Sequence, residues 1–204
     1  METGNQLLER AVRYSAAGTV LAFSASVALA VLSTPPGYRL FFQYLSDLGT
    51  AGPGAAYFNY GCILTAAFIL VFFTSLGALE RRTWLAKPKI FSGWHWLATL
   101  GMLAGMGAAL GLFGVGLFPE NTAGHYHAIA SAVYFVGAAI AVFLFTVNKK
   151  LQETSTPGTM GVGGLFIALG LLFEFTHDAL TENLAVLAFG AWLLLMARAV
   201  ERKK

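Results

Sequence analysis

Glu174, His177 and Asp178 form a Glu-x-x-His-Asp run at the end of a long apolar stretch. On a helix, positions i, i+3 and i+4 share a face, so three proton- or cation-binding side chains would point at one centre. Glu-x-x-His is also the inward ligand pair of carboxylate di-metal bundles, but such a site needs two copies and this chain carries one. A single divalent metal ion held by His127, Glu174 and His177, with Asp178 or Glu182 beside them, is the metal chemistry the set allows. The competing reading is a hydrogen-bonded polar cap with Glu174 protonated. His125 and His127 are two residues apart, which puts them on nearly opposite faces of a helix. His127 then faces inward with Ser131 and Tyr134, and His125 is an exposed interfacial residue. Ser46 and Ser131 are candidate nucleophiles beside His127. His95 lies between Trp94 and Trp96 and belongs to an aromatic interfacial belt. Phosphate loops, Gly-x-Ser-x-Gly elbows and His-Glu-x-x-His zinc motifs are absent from the sequence.

The elements that position these groups must be solvated by hydrocarbon. Of 204 residues, 57% are hydrophobic and 11% charged, against about a quarter charged in soluble domains. About 20 apolar residues span a bilayer, which predicts spans at 13–33, 57–79, 94–117, 126–147, 160–176 and 183–200. The expectation is an all-α, single-domain bundle of six transmembrane helices over residues 1–204, placed in the cell membrane with lipids as its partners. With six spans, every Lys and Arg except Arg39 falls on one side. Basic loops stay in the cytoplasm, so both termini are expected inside. This clustering between apolar runs also argues against nucleic acid. Cys62 is the sole cysteine, so no intramolecular disulfide or CxxC site can form.

Asp47, Glu120, Glu174, Asp178 and Glu182 map to the outer side with three histidines, opposed only by Arg39. Carboxylates beside lipid need protons, histidines or a cation. The first outer loop carries Tyr38–Leu45, read as a short interfacial helix. Arg81, Arg82, Lys87 and Lys89 between spans 2 and 3 are expected among lipid head groups, with Trp84 as an aromatic anchor. Span 3 carries Gly101, Gly105, Gly107, Gly111, Gly114 and Gly116, a spacing that allows close helix contact.

Short motifs along this outer side resemble a six-span prokaryotic family labelled domain of unknown function 998, in particular its archaeal members. They are Ser46-Asp47-Leu48-Gly49, Phe58-Asn59, Gly116-Leu117-Phe118-Pro119-Glu120, His127 eight residues before Phe135, and Thr181-Glu182. The resemblance covers nearly the whole chain and keeps the motifs in order. It implies the six-span fold and makes Asp47, Asn59, Glu120, His127 and Glu182 the positions to test. It implies no activity.

Two functions follow. One is a lipid- or ligand-binding or accessory membrane component with an outward-facing His/Asp/Glu pocket. The other is a lipid-active hydrolase or transferase, in which Asp47, His127, Glu174 and His177 hold a metal or act as acid and base. Transport is disfavoured, because charges deep in spans 1 to 4 and repeat symmetry are both missing.

Overall fold

The computed structural model describes residues 2–34, 37–87 and 94–201, which are helical apart from their connections. Six helices follow in order: α1 (Glu2–Ser33), α2 (Gly54–Leu85), α3 (His95–Leu117), α4 (Glu120–Leu151), α5 (Pro157–Thr176) and α6 (Ala179–Glu201). All six are long and apolar enough to cross a membrane. Each packs on its sequence neighbour and α6 returns to α1, closing a ring. At about 1.5 Å per residue, α1 and α2, of 32 residues each, are nearly 50 Å long, longer than the roughly 30 Å hydrocarbon core. Their ends therefore project beyond it.

The boundaries have local causes. Pro119, with φ −57° and ψ 140°, stops α3 and lets α4 begin at Glu120. Thr156 and Thr159 form a reciprocal capping box at the start of α5, with Pro157 in its first turn. His177 ends α5 in the left-handed conformation, φ 47°. The Asp178 carboxylate then accepts the Thr181 N–H at 3.0 Å and caps α6.

Phe73 of α2 fixes the centre of the ring, stacking on Phe145, Phe189 and Trp192 with centroids 6.0, 6.4 and 6.4 Å away. The glycines of α3 serve close packing, but not all of them. A Cβ at Gly111 would strike the Tyr134 backbone of α4, whereas one at Gly107 would meet nothing.

Two expectations are corrected at the helix ends. Tyr38–Leu45 forms turns, and a short 3-10 helix follows at Ser46–Gly49. Phe41 adopts φ 69°, which no continuing helix tolerates. Gln43 also takes the Arg39 N–H onto its side chain at 2.6 Å. The second correction concerns the basic end. Trp84 is not an interfacial anchor: it is 1% exposed and its indole N–H donates to Asn148. Lys149 is not a free loop charge but lies in the last turn of α4, 1% exposed and ion-paired with the wholly buried Glu80 of α2. Asn148 and Gln152 add hydrogen bonds to the same carboxylate at 3.1 and 2.7 Å. This network ties α2 to α4 with its charges satisfied. Lys89, Arg202, Lys203 and Lys204 lie outside the described residues.

Candidate functional site

The connection between α1 and α2 folds over the opposite end of the ring and is stitched to four places. The Leu45 N–H donates to Glu182 of α6 at 2.8 Å. The Gln43 carbonyl accepts from Asn183 at 3.2 Å, and the Gly49 carbonyl accepts from Asn59 of α2 at 3.1 Å. Tyr44 Oη donates to the His177 carbonyl, and Asn121 of α4 donates to the Thr50 carbonyl. Asp47 steadies the connection from within, its carboxylate accepting the Tyr44 N–H at 3.1 Å.

Beneath this cover lies a small polar cavity of about 40 Å³, lined by Ser46, Cys62, His127, Ser131, Tyr134 and Glu182 among apolar neighbours. His127 and Glu182 are each 8% exposed. His127 Nδ1 is 2.9 Å from the Phe118 carbonyl. A carbonyl can only accept, so Nδ1 carries the proton and a neutral His127 keeps its Nε2 lone pair. Pro119 sets this arrangement: it turns the chain so that Phe118 meets His127 across the α3–α4 corner.

The cavity shares Phe23, Leu45, Leu112, Tyr134 and Val186 with a far larger apolar groove of about 710 Å³. α1 and α6 form most of its walls, from Thr19 to Leu32 and from Asn183 to Leu194, and Leu40 and Phe41 lie at its mouth. Its polar groups are few, and only some of them are hydrogen-bonded. Thr19 donates to Ser15 at 2.9 Å and Asn183 to backbone carbonyls, while Thr65 Oγ1 has no partner among the described residues.

The electrostatics at this end are acidic. Burial, then the nearby Glu182 and Asp47 charges, push the Tyr38 phenol up to about 12. Burial raises Asp47 above the ordinary carboxylate range, opposed by its Tyr44 hydrogen bond and reinforced by Glu120.

Placed on this geometry, the sequence candidates divide. His127 and Glu182 line the cavity, and Ser131 and Tyr134 do so beside His127. Asp47 and Asn59 hold its cover. Glu120 is exposed in the first turn of α4. Glu174, His177 and Asp178 are not one helical face, because α5 ends at Thr176 and the left-handed His177 turns the chain. Glu174 is half-buried and lines neither the cavity nor the groove, and His177 is exposed. Among the described residues no three His, Cys, Asp or Glu side chains are placed to hold a metal ion, so the His127–Glu174–His177 set is not assembled.

Gln43, Tyr44 and Leu45, read in the sequence as part of an interfacial helix, instead tie the cover to α6 and His177, and Asn183 joins them. Asn183, polar at the start of an apolar run and next to Glu182, was the one available signal. The groove left none, because its lining reads as ordinary lipid-facing sequence.

Six apolar helices carrying a covered polar cavity at one end define a multi-pass membrane protein. Over residues 16–199 the chain matches the family described as Protein of unknown function (DUF998), and it belongs to that family. No curated protein and no solved structure matches the chain.

Proposed function

We propose that this protein binds a membrane lipid, with one hydrocarbon chain in the α1–α6 groove and the polar end in the cavity beside His127 and Glu182. The adjacency of a large apolar groove and a small cavity carrying polar groups, which share five lining residues, carries this reading. Length supports it. The groove walls span 14 residues along α1 and 12 along α6, about 16–20 Å at the helical rise, close to the depth of one leaflet. The basic-residue asymmetry supports an outward-facing orientation of this end, with the occupant drawn from the outer leaflet. The test is Ala28→Trp, which fills the groove from an exposed lining position. Lipid co-purifying with the protein should fall several-fold by mass spectrometry, while yield and helicity stay unchanged. Undiminished lipid in a folded variant would refute the groove.

A second reading has one observation in its favour. Ser46 and Ser131 line the same cavity as a histidine whose Nδ1–H is fixed by a carbonyl. These are the residue types of a general base and a hydroxyl nucleophile, and the set would suit an ester hydrolase or acyltransferase. Release of fatty acid from an ester lipid by the purified protein, lost in both His127→Ala and Ser131→Ala or Ser46→Ala, would favour the enzyme over the binding protein.

A further inference from the structure

We propose that the lipid end group is a compact hydrogen-bond donor, a hydroxyl or primary amine on a single long chain, and that phosphate and carboxylate ends are rejected. This rests on the groove-and-cavity reading and adds the chemistry of the end group to it.

Size is the first argument. A cavity needs roughly 10–15 Å³ to admit one water, so the polar cavity of about 40 Å³ has space for two or three such groups. A hydroxyl or amine with its first carbon fits there. A phosphate bearing a further alcohol does not.

The second argument is hydrogen-bonding capacity. One Glu182 oxygen accepts the Leu45 N–H, and the His127 Nδ1 proton is committed to the Phe118 carbonyl. Among the described residues the other Glu182 oxygen and His127 Nε2 have no hydrogen-bond partner. Two acceptors, on side chains more than nine-tenths buried, therefore line a cavity at the end of an apolar groove. Buried acceptors gain most from a ligand that brings the missing protons. A hydroxyl supplies one and can accept from the Ser46 or Ser131 hydroxyl, and an ammonium supplies up to three.

Charge is the third argument. Glu182 and Asp47 lie close enough to perturb the Tyr38 phenol, and Glu120 acts on Asp47. An anionic end beside these carboxylates must either repel them or force one of them to take up a proton, and both cost free energy. Arg39 offers no relief inside the cavity, since it is exposed and does not line it.

The test uses the full chain in detergent, titrated by calorimetry at neutral pH with dodecanol, dodecylamine, laurate and dodecyl phosphate. These probes share one chain and differ only at the end. Dodecanol and dodecylamine should bind at least about tenfold tighter than the two anions, a gap of about 1.4 kcal/mol. Glu182→Gln should narrow that gap, and Ser131→Leu, which fills the cavity, should weaken the alcohol and amine. Equal affinity for all four ends, or preference for an anion, overturns the end-group proposal and leaves the groove standing. Failure of all four to bind overturns the groove reading itself.

Discussion

The Leu45 N–H reaches the Glu182 carboxylate at 2.8 Å, joining residues 137 positions apart in the chain. This bond connects the cover to α6 and fixes one wall of the polar cavity. Leu45 is 5% exposed, so Glu182→Ala strands a buried donor and should cost about 1–3 kcal/mol. Glu182→Gln keeps an acceptor and should cost less. Denaturation in detergent gives the values, with proteolysis across residues 37–53 as a local readout. Equal stability of all three proteins would mean that the bond contributes nothing to holding the cover.

The acidic surroundings of Asp47 make the cover sensitive to pH. Its proton affinity is raised on folding, so the folded state holds the proton more tightly than an unfolded aspartate of pKa about 3.9. That contribution is fully present below the unfolded value and is lost as pH rises through the folded one. Unfolding free energy should therefore fall as pH rises above about 4, and Asp47→Asn should flatten the slope. An identical pH profile for the variant would contradict this account.

At the basic end, Lys149→Met removes a buried ion pair to Glu80 and should destabilise by about 3–5 kcal/mol. Adding Glu80→Gln should recover part of the loss, since the carboxylate charge that faced Lys149 is then gone. A double-mutant cycle measures the recovery, and simple additivity of the two substitutions would argue against coupling.

Gly111 and Gly107 lie one turn apart on α3 and should respond oppositely to the same change. Gly111→Ala forces a methyl against the Tyr134 backbone, which cannot rotate away, and should cost about 1–3 kcal/mol. Gly107→Ala enters open space and should gain up to about 1 kcal/mol from helix propensity. Thermal unfolding of the two variants decides, and a destabilised Gly107→Ala would place an unseen neighbour at that position.

The basic residues predict an orientation, with Arg39 the only one at the covered end among the described residues. A reporter fused after α6 should read cytoplasmic, and one inserted near Gly54 should read external. The reverse pattern would move the groove to the inner leaflet and change the source of its lipid.

The fold was legible because its cause is local. Each span is a run of apolar residues that must satisfy its own backbone in lipid, and only a helix does that within one segment. Pro119 marks a helix boundary as chemistry predicts. The pairing of His127 with Ser131 and Tyr134 was also readable, since helical spacing alone puts them on one face.

What surrounds those side chains was decided by the tertiary structure. Glu174-x-x-His177-Asp178 is a sound helical triad on paper, yet a left-handed residue at 177 breaks the periodicity on which the inference depended. Glu182, rather than Glu174, faces the cavity with His127, because the α1–α2 connection folds across the ring and offers it the Leu45 N–H. Trp84, Glu80 and Lys149 look like a membrane surface until α2 and α4 are brought side by side. The groove is a gap between α1 and α6, and a gap depends on how helices from the two ends of the chain approach one another. Periodicity within a helix fixes which residues share a face; only packing between helices fixes what that face meets.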